Sequence, residues 1–257
     1  MKTLALAAAA AAERPRFVLL DLIRGATVLS MILYHTIWDL VHLFGVQWQW
    51  FYGGGAAFWQ QSICWTFIFL SGFCWPFGHK PLRRGLTVFA AGLLITLATL
   101  LFMPKDRIVF GILTFIGSAM LLMIPLEKLF RRVPAAAGAV GSMLLFLVFL
   151  PLNHGYVGFG GWNFSLPQVL YHGGLATYLG FLDKNFFSTD YFSLFPWLFL
   201  FAAGYFCCRI WRTSGKMPGG PKIPTLSFLG RHSLGIYVLH QPLVFFILAL
   251  LFGRMPL

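Results

Sequence analysis

The chain has 257 residues, of which 59% are hydrophobic and 10% charged, with a mean hydropathy of +0.79 and a net charge of +12. Soluble domains carry about 25% charged residues, and a globule of this size could not hide so much apolar surface. A soluble fold is excluded. No basic and aromatic patch lies outside the apolar runs, so the charge is read as a match to anionic membrane lipids, and nucleic acid is excluded as a partner.

Residues 1–16, "MKTLALAAAAAAERPR", open like a secretory signal, but the apolar region is short and "ERPR" leads straight into a long apolar run, so a cytoplasmic tail is expected. Runs of about 20 apolar residues, the length that crosses a bilayer, then recur at 17–39, 57–77, 83–102, 108–126, 134–152, 193–211 and 232–252. The breaks "FGHKPLRRG", "MPKDR", "EKLFRRVP" and "CRIWRTSGKMPGGPKIP" carry charge, Gly or Pro. The expectation is therefore all-α: a polytopic transmembrane helix bundle of about seven spans in a single domain, 17–252, followed by a short tail at 253–257. Residues 153–192, rich in Gly, Asn and aromatics, read as a partly helical or re-entrant outer loop, with 164–182 open to an eighth span.

Of the 19 Lys and Arg residues, seven spans with an inside N-terminus leave only Lys105, Arg107, Lys184 and Arg254 outside, against fourteen inside and Arg24 within the first span. The positive-inside bias favours that orientation. Cys64, Cys74, Cys207 and Cys208 lie in or beside apolar runs at spacings that match no metal motif, so space-filling thiols are expected and no metal.

The stretch "DLIRGATVLSMILYHTIWDL" places Asp21, Arg24, His35 and Asp39 in the first span. Polar groups there require a partner, a cavity or a membrane surface. Asp21 and Arg24 are three residues apart and can pair. His35 suits proton transfer, with Asp39 four residues on as a group that could orient it. His240 in "IYVLHQP" is a second mid-membrane histidine, and Pro242 beside Gln241 removes a backbone donor, which marks a cavity-lining place or a plain kink. Arg231 and Ser233 stand at the entrance of the last span. With Arg24, Lys80, Arg83 and Arg84 they form a basic cluster suited to a phosphate-bearing ligand from the cytoplasm. Asp190 in "FFSTDYFSLFPW" falls at the outer mouth, either as a sugar-binding group or as an exposed loop aspartate.

The opening "RFVLLDLIRGATVLSMILYHTIWDL" resembles the first helix of the transmembrane acyltransferase superfamily. Together with "IFLSG", "RIVFGILTFIG", "FSLFPWLFLFAAGY" and "LSFLGRHSLGIYVLHQP", it is similar to small bacterial members of the heparan-alpha-glucosaminide N-acetyltransferase catalytic-domain family, from about Arg16 to Pro242. The resemblance implies an enzyme of the bacterial inner membrane that moves an acyl group, commonly acetyl, from cytoplasmic acetyl-CoA or another acyl-CoA to a hydroxyl or amine of a sugar or envelope glycan outside. It sets Asp21 and Arg24 near the CoA end and His35 at the reaction centre, with Arg231 and Ser233 in a "GR-x-SL" motif and His240 and Gln241 in an "HQP" motif; the basic cluster with Lys80, Arg83 and Arg84 is then expected to hold the CoA phosphates, Ser233 and Gln241 to serve the donor site, and His35, Asp39 and His240 to serve the chemistry. The lysosomal relative has Asn at the place of His35 and its catalytic His farther toward the lumen, where His42 is the nearest candidate here. Which of His35 and His42 is the base stays open. A transporter or flippase with the same polar cavity, and a non-catalytic assembly partner, are the rival classes, and a homo-oligomer is compatible with each.

Overall fold

In lipid the backbone groups must satisfy one another, so the apolar runs become long helices. The computed structural model describes residues 18–215, 221 and 223–253. The expected N-terminal tail, residues 254–257, and Lys216 and Lys222 of the basic loop lie outside the described residues. In chain order the helices are α1 (Val18–His42), α2 (Gly54–Phe73), α3 (Pro81–Phe102), α4 (Ile112–Phe130) and α5 (Ala135–Phe149). A hairpin of β1 (Tyr156–Phe159) and β2 (Trp162–Ser165) follows, then α6 (Gly174–Leu179), α7 (Trp197–Thr213), α8 (Pro224–Arg231) and α9 (Ser233–Phe252).

All seven apolar runs are long helices, which makes the molecule a helical membrane bundle. Among the described residues α1, α3, α4, Ala135–His154 and α9 are long and apolar enough to cross a bilayer. α2 has the length but carries Gln60 and Gln61, and α7 has 17 residues. Residues 153–192 hold no membrane-crossing helix: α6 has six residues, about 9 Å at the helical rise. Its antiparallel hairpin, with Phe159 opposite Trp162 across Gly160 and Gly161, went unforeseen in the sequence. So did α8, which breaks from α9 at His232.

Three helix pairs meet backbone to backbone through reciprocal glycines. A Cβ added to Gly72 on α2 would lie 1.9 Å from the Phe201 carbonyl oxygen of α7, and one on Gly204 would lie 2.1 Å from that of Phe69. Gly92 and Gly117 join α3 to α4 in the same way, against Thr114 and Phe89. Gly25 and Gly230 join α1 to α8, against Leu226 and Asp21. In lipid, where apolar side chains gain little by leaving their solvent, such close approach supplies the packing contact. Around the α2–α7 contact, Ile68, Phe115, Met123, Phe146, Phe201 and Tyr205 are fully or almost fully buried. Leu94, Leu97 and Leu101 on α3 and Leu144 on α5 stay exposed, as side chains facing acyl chains would.

The glycine contacts also fix where the ends of the helices fall. The start of α1, the end of α2 and the start of α3 come together, and the end of α4 is tied to the end of α7 by Arg209, whose guanidinium donates to the carbonyls of Phe130 at 2.6 Å and Val133 at 2.9 Å. At the opposite end, the segment before α7 is pinned over the start of α4: Phe192 N–H donates to the Phe110 carbonyl, Tyr191 Oη to the Thr177 carbonyl, and Tyr178 Oη to Ser118 Oγ.

Candidate active site

At the end holding the start of α1, Arg24 is bracketed by two partners. Its Nη1 lies 3.4 Å from Asp21 Oδ1, the expected pair, and its Nη2 donates to Cys74 Sγ at 3.0 Å. Arg84, on the first turn of α3, reaches inward because Gly78 has no side chain: a Cβ there would sit 1.2 Å from the Arg84 Nη1. That nitrogen is buried and has no hydrogen-bond partner among the described residues. A buried guanidinium donor left unpaired is costly, and an anion placed there would satisfy it.

A cavity of about 410 Å³ begins among Arg24, Arg83, Arg84 and Ser233 and extends to Ile112 on α4 and Tyr237 on α9. Its mouth is basic and its walls, including Phe67, Leu113 and Met120, are apolar. The size falls in the ordinary range for small-molecule sites, about 300–1,000 Å³. A shallower recess of about 280 Å³ shares Arg24, Cys74 and Arg84 and adds Asp21. Lys80 and Arg231 line neither. Lys80 is exposed in a left-handed conformation before α3, and the exposed Arg231 donates its Nε to the Ser227 carbonyl of its own helix.

Beyond Tyr237 the packing of α9 on α1 builds a polar seam. The rings of His35 and His240 lie 5.0 Å apart, and that of Tyr237 lies 5.6 Å from His240. His240 Nδ1 is 2.6 Å from the Tyr237 carbonyl. A carbonyl only accepts, so Nδ1 carries the hydrogen and, in the neutral ring, Nε2 presents a lone pair. Nε2 is buried without a hydrogen-bond partner among the described residues. One residue on, Gln241 Nε2 donates to Asp39 Oδ1 at 2.7 Å. The Asp39 carboxylate is thus held by Gln241 from α9, and the neighbour of His35 is the His240 ring. His42 is exposed at the end of α1, stacked on Trp38 at 4.6 Å with Tyr52 close by. Seven residues part it from His35, about 10 Å along the axis.

The structure therefore brings Arg24, Arg83, Arg84 and Ser233 to one chamber mouth, with Asp21 paired to Arg24 in the adjoining recess, and His35, Asp39, His240 and Gln241 to one seam. It sets His42, Lys80 and Arg231 apart from both. Tyr237 was not singled out in the sequence, and Cys74, expected only to fill space, accepts from Arg24. Tyr237 was within reach of such reading, since it precedes His240 by three residues and so shares its helix face.

Comparison with known proteins identifies the family. No curated protein and no solved structure matches the chain. The family described as "Heparan-alpha-glucosaminide N-acetyltransferase, catalytic" matches residues 16–242, a stretch that holds every residue of the chamber and of the seam. The chain belongs to that family of membrane acetyltransferases.

Proposed function

We propose that the protein transfers an acyl group, acetyl in the simplest case, from cytoplasmic acyl-CoA to a hydroxyl or amine of a sugar or envelope glycan on the far side of a bacterial inner membrane. The observation that carries this reading is the α1–α9 seam. Asp39 Oδ2, His240 Nε2 and Gln241 Oε1 are all buried, all acceptors, and all without a hydrogen-bond partner among the described residues. Such atoms favour a ligand rich in O–H or N–H donors. On the other side of Tyr237, the basic mouth and apolar walls suit the phosphates and the slender arm of CoA.

In this mechanism the acceptor oxygen or nitrogen attacks the thioester carbonyl while a histidine of the His35–His240 pair takes its proton. The C–S bond then breaks, the electron pair leaves on sulfur, and the imidazolium returns the proton to give free CoA thiol. Tyr237 lines the chamber and its ring lies beside that of His240, and in this mechanism its hydroxyl donates to the oxyanion. A route through an acyl-imidazole uses the same pair.

Purified protein in vesicles, supplied with acetyl-CoA on one side and sugars on the other, tests the reading by release of CoA thiol. His35→Asn and His240→Asn should each cut turnover about a hundredfold, the range of a lost general base, while CoA binding persists. His42→Asn should do less. If His42→Asn alone is dead, the base is His42; if wild type releases no CoA from any acyl-CoA, the transferase reading falls to a transporter or an assembly partner.

A further inference from the structure

The hairpin β1–β2 belongs to neither the chamber nor the seam, and its two faces differ in chemistry. Its register sets Val157 opposite Phe164 and Phe159 opposite Trp162, with Gly158 opposite Asn163 and Tyr156 opposite Ser165. Residues directly opposite share a face, and successive residues alternate between faces. One face therefore carries Val157, Phe159, Trp162 and Phe164, and the other Tyr156, Gly158, Asn163 and Ser165. The first is wholly apolar, and among the described residues nothing covers it: Phe159, Trp162 and Phe164 are 63%, 79% and 66% exposed. The ribbon itself is well fixed. Gly158 lets the strands close, because a Cβ there would lie 1.8 Å from the Trp162 carbonyl oxygen, Gly160 turns the tip at a φ of +67°, and Leu166 N–H donates to the Gly155 carbonyl at 2.9 Å across the base.

Position, charge and aromatic content identify what covers this face. β1 lies alongside α5 and the turn Leu150–His154 that follows it, and Ala135–His154 is one of the runs long enough to cross a bilayer. The hairpin is thus held where that span leaves the hydrocarbon, next to a helix whose Val140, Met143 and Leu144 are exposed as lipid-facing side chains are. Residues 133–182 contain no Asp, Glu, Lys or Arg, whereas soluble domains carry about 25% charged residues. Trp is a side chain of the membrane interface, where its ring lies among acyl chains and its N–H meets headgroups. A sugar stacked on Trp162 would need hydrogen-bonding groups around the ring, and the cross-strand neighbours Phe159 and Val157 offer none. A two-stranded ribbon is marginal in water and gains stability when its apolar face is packed.

We propose that the hairpin docks on the bilayer itself, its apolar face lying in the interfacial layer of the leaflet opposite the chamber mouth. Phe159, Trp162 and Phe164 enter among headgroups and upper acyl chains, while Asn163 and Ser165 turn to water. The protein then holds that leaflet by a flat amphipathic ribbon as well as by its spans. This docking does not depend on the transferase reading.

The test uses full-length protein in vesicles of phosphatidylcholine and phosphatidylglycerol, with the native cysteines replaced by alanine and a nitroxide on one new cysteine at a time: Trp162→Cys, Asn163→Cys, Phe164→Cys or Ser165→Cys. All four positions are exposed, so the labels should leave the monodisperse peak on size-exclusion chromatography intact. Oxygen concentrates in lipid and the nickel complex of ethylenediamine diacetate stays in water, so their collision rates with the nitroxide report its surroundings. The ratio of oxygen to nickel collisions at positions 162 and 164 should exceed that at 163 and 165 by about fivefold or more, alternating with the period of a strand. Nickel-dominated collisions at all four positions overturn the inference by leaving the face in water, open to a glycan. Low rates with both reagents at 162 and 164 also overturn it, because a protein then covers the face; recovery on dilution with unlabelled protein would identify a second copy. Should the cysteine-free protein lose its peak, the native-cysteine protein answers the same question. The emission that Trp162→Phe removes should be quenched by phosphatidylcholine with a nitroxide near the headgroup and spared by aqueous iodide, and the reverse pattern overturns the docking.

Discussion

Gly204→Ala should unfold the bundle at a lower temperature although it adds only one methyl group. The new Cβ would lie 2.1 Å from the Phe69 carbonyl oxygen and 2.9 Å from the Phe73 amide nitrogen, and both are backbone atoms of α2 that cannot rotate away. Reaching an ordinary separation of about 3.4 Å requires α7 and α2 to part by about 1.3 Å, and Gly72 makes the reciprocal contact on Phe201, so sliding gives no relief. Overpacking of this kind costs about 1–3 kcal/mol, and this site belongs at the upper end because both surfaces are backbone. Helix propensity returns up to about 1 kcal/mol for Gly to Ala, leaving a net loss of about 2 kcal/mol. For a chain of this length that is about 4–8 °C in Tm. Gly55→Ala is the control: it is also helical, and a Cβ there meets nothing within 4 Å, so it should leave Tm unchanged or raise it slightly. The assay is loss of the monodisperse peak on size-exclusion chromatography after heating in detergent. A Gly204→Ala protein that melts with wild type, or a Gly55→Ala protein that melts as early as Gly204→Ala, would refute the backbone-contact account.

Arg84→Gln and Arg24→Gln should each weaken CoA binding about tenfold or more, the value of a lost charge-assisted hydrogen bond, whereas Arg231→Gln, whose guanidinium caps its own helix, should change it less than threefold in the same titration. Arg209→Ala removes the donor to the Phe130 and Val133 carbonyls and should cost about 1.5–3 kcal/mol, read as a lower Tm that Arg209→Lys only partly restores. In a background without native cysteines, Asn163→Cys on the exposed strand β2 should label from the outer side and Arg132→Cys from the cytoplasmic side. Labelling of Asn163→Cys from the cytoplasm alone would reverse the orientation drawn from the distribution of basic residues.

The helices were legible in the sequence because lipid imposes a local rule: each run had to be apolar for about 20 residues and had to stop at charge, Gly or Pro. The Asp21–Arg24 pair was legible for the same reason, being three residues apart on one helix. Contacts between distant helices were not. The spacing of His35 and Asp39 promised an i to i+4 pair, but the packing of α9 brings an amide to the carboxylate, and the imidazole is left to His240, 205 positions later in the chain. Lys80 and Arg84 carry the same charge four residues apart, at the start of α3. Gly78 and the left-handed turn at Lys80 turn one outward and let the other reach the chamber, and that distinction exists only in the backbone path. Asp190 shows the same limit in reverse, since its neighbours "FFSTDYF" say loop while the hydrogen bonds of that loop to Arg107 and Phe110 carry it, half-buried, onto the first turn of α4, where its Oδ2 accepts from the Ile112 N–H.

The polar groups of the first helix are thus paid for unequally, and the inequality points along a path. Asp21 and Arg24 satisfy each other at the mouth. Asp39 is half satisfied, through Oδ1 alone, and His240 spends its only donor on its own backbone. Each further step from the mouth leaves more acceptors without donors, each worth about 1–3 kcal/mol when buried. A fold selected for stability alone would replace Asp39 and Gln241 with apolar side chains of similar volume, a change that is often neutral or stabilising for buried polar pairs. Asp39→Leu with Gln241→Leu should accordingly leave Tm equal or higher while CoA release falls at least tenfold. A double variant that keeps wild-type turnover would assign the seam to packing and remove it from the chemistry.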